Sequence, residues 1–153
     1  MWGEDLNDHR NNQPVILLIN DDQVLCDLVE VAVDEPMGTI VTARTQKRAR
    51  EIIRSGHVAM VIVDGAFQGG RGIDLLAGIR EQFPRIIRIF VPENGDSEQY
   101  ERAVNIAEVD HILKKPWKRE SVLAALKHGW RKYRIHLQRA ELQETTRKEI
   151  RSS

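Results

Sequence analysis

The stretch Val15-Ile16-Leu17-Leu18-Ile19-Asn20-Asp21-Asp22 is an unbroken apolar run that stops on an amide and two carboxylates. A run without polar alternation reads as a strand covered on both faces, the environment of a parallel sheet. Working outward, Leu25, Leu28, Val29 and Ala32 fall at helical spacing within Gln23 to Asp34, and Pro36 and Gly38 stop that helix. Thr39 to Ala43 is a second, shorter strand. Thr45 can cap the next helix, whose Ala49, Ile52 and Ile53 face inward until Gly56. Met60 to Asp64 is a third strand ending on a carboxylate, followed by the glycine-rich loop Gly65 to Gly72. Ile73, Leu75, Leu76 and Ile79 mark a helix that Pro84 ends. Ile86 to Val91 is a fourth strand. A weakly amphipathic helix over 97–106 and a short fifth strand, His111 to Lys114, follow, and a last helical pattern runs from Lys118 almost to the end.

Five strands alternating with five helices predict an α/β fold: a doubly wound, five-stranded parallel sheet with helices on both faces and an extended C-terminal helix. Ligands of such sheets bind beyond the carboxyl ends of the strands. There, Asp21 and Asp22 follow the first strand, Asp64 ends the third and Lys115 follows the fifth. Three carboxylates at one edge repel unless a cation joins them, and hard oxygen ligands suit Mg²⁺. Carboxylates, Mg²⁺ and a lysine suit phosphoryl transfer, with an aspartate as acceptor. In the simpler reading Asp21 and Asp22 only cap a helix and Asp64 only ends a strand.

Composition narrows the class. The 153 residues suit one domain, and equal numbers of basic and acidic residues, 23 each, argue against a uniformly basic nucleic-acid binder. No apolar run is long enough to span a membrane, and Met1 to Gln13 has no signal-like core, so a cytoplasmic setting is expected. Cys26 is the single cysteine, which rules out an intramolecular disulfide. His57, His111, His128 and His136 lack metal-ligand spacing or a nucleophile partner and read as surface or interface residues.

The motifs Leu17 to Asp22, Val61-Ile62-Val63-Asp64 with Gly72 downstream, and Leu113-Lys114-Lys115-Pro116-Trp117 together resemble a response-regulator receiver domain, over about Pro14 to Leu126. The resemblance implies the CheY-like, flavodoxin-like (βα)5 receiver fold and a role in two-component signal transduction. It implies that Asp21 and Asp22 hold Mg²⁺, with Asp22 the direct ligand and the Ala66 carbonyl completing the site. Asp64 would take a phosphoryl group from a histidine kinase or small phosphodonor, and Lys115 would pair with it. The bond before Pro116 is expected to be cis. Such a protein catalyses only its own phosphorylation and dephosphorylation. The Lys-Pro-Trp ending is similar to receivers that precede HD-GYP phosphodiesterases or NtrC-type regulators of hydrogenase genes. Neither output fits in this length, so a stand-alone regulator and a piece of a longer protein both remain open.

The departures fall on the switch positions. Val91 stands where the resemblance implies a Thr or Ser, and a valine donates no hydrogen bond. Ile112 stands where an aromatic is implied. The loop after Asp64 lacks the usual proline and carries glycines, which predicts mobility. A phosphorylation-independent pseudo-receiver, acting as a dimeric interaction module, is therefore the alternative to a phosphorylated switch.

Residues 1–117 carry 13 Lys/Arg against 19 Asp/Glu, and residues 118–153 carry 10 against 4, so an acidic body precedes a basic tail. The organisation expected is a polar N-terminal extension (1–13), a receiver domain (14–127) and a basic helical extension (128–153) able to form a coiled coil. Leu123, Leu126, Trp130, Tyr133, Leu137 and Ala140 step by three and four. That seam suggests a homodimer through the C-terminal helix, with Trp130 and beyond exposed on a monomer. The other reading is one amphipathic helix folded onto its own domain. No aromatic or glycine-rich pattern in the tail supports nucleic-acid readout, so none is expected.

Overall fold

The computed structural model describes residues 14–19, 22–32, 38–93 and 95–152. The polar extension 1–13 lies outside them, as do Asn20, Asp21 and the segment 33–37 that holds the helix-stopping Pro36. The chain runs β1 (Val15–Ile19), α1 (Gln23–Ala32), β2 (Thr39–Ala43), α2 (Gln46–Arg54), β3 (Val58–Asp64), a 3-10 turn (Phe67–Gly69), α3 (Gly72–Gln82), β4 (Ile87–Val91), α4 (Ser97–Asn105), β5 (His111–Ile112) and α5 (Arg119–Ser152). All strands are parallel, in the order β2-β1-β3-β4-β5. The reversal of strand order beside β1 puts the ends of β1 and β3 next to each other, where a ligand crevice forms.

Alternate side chains of the central strands feed two cores, as the period of two requires. Leu17, Ile19, Val61, Val63 and Phe90 pack with Ile52 and Ile53 of α2, Ile73, Leu76 and Ile79 of α3, and Ala103 of α4. Ile16, Leu18, Met60, Ile62, Ile87 and Ile89 pack with Leu25 and Val29 of α1 and Val122, Ala125 and Leu126 of α5. Strands covered on both sides need no polar alternation, which is why they read as continuous apolar runs. The Thr45 hydroxyl caps α2 by accepting from the Arg48 N–H at 3.1 Å. No helix among the described residues is long and apolar enough to cross a membrane.

Two expectations change. β5 is only two residues long, shorter than His111 to Lys114, and Leu113 N–H still reaches the Phe90 carbonyl at 2.9 Å. More consequentially, the docking of α5 does not stop at Leu126. Trp130 and Tyr133 are half-buried against the same core, and their rings meet at 5.8 Å. The seam that suggested a coiled coil is thus spent on the chain's own domain as far as Tyr133. Gly129 makes this possible: a Cβ there would stand 2.8 Å from Met60 Sδ and 3.2 Å from Ile87 Cγ2. Its missing side chain lets α5 lie close to β3 and β4, a gain that outweighs its ~1 kcal/mol helix penalty. Further along, Lys132 Nζ meets Asp110 at 2.7 Å and His136 Nδ1 donates to the Arg85 carbonyl at 3.0 Å. Beyond His136 the helix projects about 24 Å, at 1.5 Å per residue.

Candidate functional site

Asp64 is set by β3, a strand so apolar that its last residue is carried to the sheet edge while still only 3% exposed. In register beside it is Val91, itself fully buried, and the Gly65 N–H donates to the Val91 carbonyl at 2.7 Å. Pro92 follows and has no N–H, and neither Val91 nor Pro92 has a side-chain donor to offer the carboxylate. Ile112 of β5 pairs with Phe90 of β4 and is half-buried.

The Asp64 carboxylate is lightly held. Its Oδ1 accepts from the Ala66 N–H at 2.9 Å. Lys115 Nζ stands 3.8 Å from Oδ2, an ion-pair distance beyond that of a hydrogen bond. Lys115 also lies over the Trp117 ring, 5.1 Å from its centroid, so the tryptophan face steadies the ammonium by a cation–π contact. That contact gives a physical role to the Lys115-Pro116-Trp117 sequence. The Lys115–Pro116 bond is cis, as expected.

Asp22 opens α1, its Oδ1 accepting from the Val24 N–H at 2.9 Å. The helix-capping role of this residue is therefore real. Asp21 lies outside the described residues. The Ala66 carbonyl accepts from the Gly69 N–H at 3.3 Å and keeps a second lone pair. The loop that glycines predicted to be mobile is folded into the 3-10 turn Phe67–Gly69, and Phe67 is 2% exposed in the core. Among the described residues no group of three or more His, Cys, Asp or Glu is placed to hold a metal. The donor set that is present, the Asp22 and Asp64 carboxylates and the Ala66 carbonyl, is all hard oxygen, and Asp64 keeps unused acceptor capacity while buried. That chemistry fits Mg²⁺.

Sequence reading missed Gln99. From the first turn of α4 its Nε2 donates to the Gly65 carbonyl at 3.2 Å, and its Oε1 accepts from the Glu93 N–H at 2.9 Å. Gly65 fits this arrangement, because a Cβ there would collide with Gln99 Oε1. The lone Cys26 is buried, and burial pushes its thiol pKa up, which suits an inert side chain.

With this geometry in hand, comparison with known proteins is informative. The model of the response regulator receiver domain matches residues 16–127. The hydrogenase transcriptional regulatory protein HoxA of Cupriavidus necator is 27% identical over 107 residues, 70% of this chain and 22% of HoxA. The chain thus spans about a fifth of that relative. The signal receiver domain of an HD domain-containing protein from Pseudomonas fluorescens superposes with a TM-score of 0.75 at 26% identity, over 84% of this chain and 94% of that one. A CheY-like receiver domain protein from Methanospirillum hungatei gives 0.70 at 18% identity, over 81% and 98%, a likeness of fold.

Proposed function

This chain belongs to the response regulator receiver domain family, and we propose that it is a phosphorylated switch in two-component signalling, with Asp64 as acceptor. The observation that carries this is the buried, under-bonded Asp64 carboxylate with Lys115 Nζ 3.8 Å away. In the transfer an Asp64 oxygen attacks phosphorus and forms the new O–P bond. The donor's P–N bond (histidine kinase) or P–O bond (acyl phosphate) breaks and its electron pair leaves with the imidazole or carboxylate. Lys115 neutralises phosphoryl charge and the Ala66 N–H orients the acceptor. Asp22, Asp64 and the Ala66 carbonyl, with Asp21, would hold Mg²⁺, which supplies charge neutralisation to the phosphoryl oxygens. Nothing else is turned over. The setting proposed is cytoplasmic.

Val91 and Ile112 are the atypical switch residues: phosphate cannot draw a hydroxyl at the first or swing an aromatic at the second. The Lys115-Pro116-Trp117 ending, HoxA and the HD-domain receiver all support an origin in the subgroup that precedes HD-type or NtrC-type outputs. A homodimer is proposed through the projecting part of α5. There Leu137, Leu142 and Ile150 are exposed among charges of both signs, such as Arg139, Glu141, Glu144 and Arg147, that a second copy can pair.

The test is incubation with Mg²⁺ and acetyl phosphate, read by intact mass. One phosphoryl group should be added to the wild type and none to Asp64→Asn. Unchanged labelling of Asp64→Asn assigns the acceptor elsewhere. No labelling of the wild type, with dimerisation intact, supports the phosphorylation-independent module that Val91 and Ile112 favour.

A further inference from the structure

The Gly65–Ala66 peptide group faces two ways. Its N–H donates to Asp64 Oδ1 at 2.9 Å, and its carbonyl accepts from Gln99 Nε2 at 3.2 Å. The other end of the Gln99 carboxamide accepts from the Glu93 N–H at 2.9 Å. Glu93, Gln99 and the Gly65–Ala66 peptide are therefore three amides in series, every donor pointing toward the Asp64 carboxylate. The orientation of Gln99 follows from its partners, because a flipped carboxamide would face a donor with a donor and a carbonyl with a carbonyl. Amides aligned this way polarise one another, and a negative charge at the accepting end strengthens each bond.

The far end of the series is tied into α4. The Gln99 N–H donates to Asp96 Oδ1 at 3.0 Å, and the Asp96 N–H donates to the Glu93 carbonyl at 3.1 Å. Gly65 has no Cβ in the one place where a Cβ would expel the carboxamide. Neither Val91 nor Pro92 has a side-chain donor that could compete at this end of β4.

We propose that Gln99 is a positioning residue that couples the charge state of Asp64 to the start of α4 through this amide relay, doing the work that the valine at position 91, with no hydroxyl, cannot. The peptide is planar, so any change that moves the Ala66 N–H off Oδ1 also moves the Gly65 carbonyl off Gln99. A ligand shifts the equilibrium of α4 only through such a differential contact, and the relay supplies it. The proposal rests on the reading of Asp64 as the group that is modified.

The experiment compares wild type, Gln99→Ala, Gln99→Glu and Gly65→Ala by amide NMR and hydrogen exchange, with and without Mg²⁺ and beryllofluoride. In the unmodified protein the Glu93 amide should exchange about tenfold faster in Gln99→Ala and Gly65→Ala, the loss of one hydrogen bond. Gln99→Glu can still accept from Glu93 but cannot donate to Gly65, so it keeps Glu93 protected while cutting the relay. Beryllofluoride should then shift Ala66 in every variant with an intact Asp64 site, but shift Glu93 and the α4 amides only in the wild type. Equal Glu93 and α4 responses in wild type and Gln99→Glu overturn the relay. If beryllofluoride leaves wild-type Ala66 unmoved, the phosphoryl reading fails, and Asp64→Asn then decides: it should shift the Glu93 amide in the wild-type background and not beside Gln99→Glu. A shift in both backgrounds, or in neither, overturns the relay.

Discussion

β4 carries a buried charge problem at each end, and the two are solved in opposite ways. Near its start Arg88 is 7% exposed, with its guanidinium donating to the Ile86 carbonyl at 3.0 Å and the Glu108 carbonyl at 3.2 Å. Asp110 stands 3.9 Å from that guanidinium, takes the Arg88 backbone N–H at 2.8 Å, and binds Lys132 of α5 at 2.7 Å. Within this cluster Arg88 Nε is left without a hydrogen-bond partner. Burial lowers the Arg88 pKa, and Asp110 offsets only part of that. Beside the other end, Asp64 is as buried, yet has one short hydrogen bond and a lysine at 3.8 Å. A nearly saturated network holds elements together, whereas a lightly held buried carboxylate keeps its lone pairs for a ligand.

The comparison breaks most visibly at Asp110. Asp110→Ala leaves Arg88 buried without a counter-charge and frees Lys132, so stability should fall by about 3–5 kcal/mol in urea melts. Asp64→Asn should cost little in the same melts and abolish phosphoryl acceptance, because that carboxylate is not part of a structural network. Equal losses for the two substitutions would mean that both clusters are structural.

Truncation probes the same contrast from α5. A chain ending after Leu126 loses Gly129, Trp130, Lys132 and Tyr133, and with them apolar burial worth about 1.5–3 kcal/mol per buried side chain. It should be strongly destabilised or unfolded. A chain ending after His136 keeps every one of those contacts and should melt like the full chain. Sedimentation of that second truncation isolates the projecting segment: a monomer beside a dimeric full chain assigns the interface to 137–152, and equal states remove it.

The sheet was legible because its central strands β1 and β3 are apolar runs closed by polar residues, and the candidate site was legible as far as it is carried by strand ends, with Asp64 and Lys115 brought within 3.8 Å and Asp22 at the start of α1. Gly129 is, by propensity alone, a weak point of the helix. Its reason is a close approach to Met60, which only the packing reveals. Arg88 is the one charge inside Ile86-Ile87-Arg88-Ile89-Phe90-Val91, and its counter-charge lies 22 residues away, beyond the reach of any local pattern. Gln99 carried no pattern at all, since its role depends on a carbonyl 34 residues earlier.

The smallest effect expected is a pH dependence at the edge of the saturated end. His111 of β5 lies 5.5 Å, ring centroid to centroid, from His128 of α5. Burial first, and then the nearby His128, lower the His111 pKa. The fold therefore favours the neutral imidazole. At pH values near and below the ordinary 6.5 the unfolded chain binds more protons at this site than the folded one, so stability increases with pH there. The contribution is complete above the unfolded pKa and is lost as pH falls through 6.5 toward the lower folded value. His111→Gln should flatten that part of the stability curve, and His128→Gln should flatten it less, because it removes only the second cause. Urea melts from pH 7.5 to pH 5 measure it; an unchanged slope in His111→Gln would move its origin to other groups.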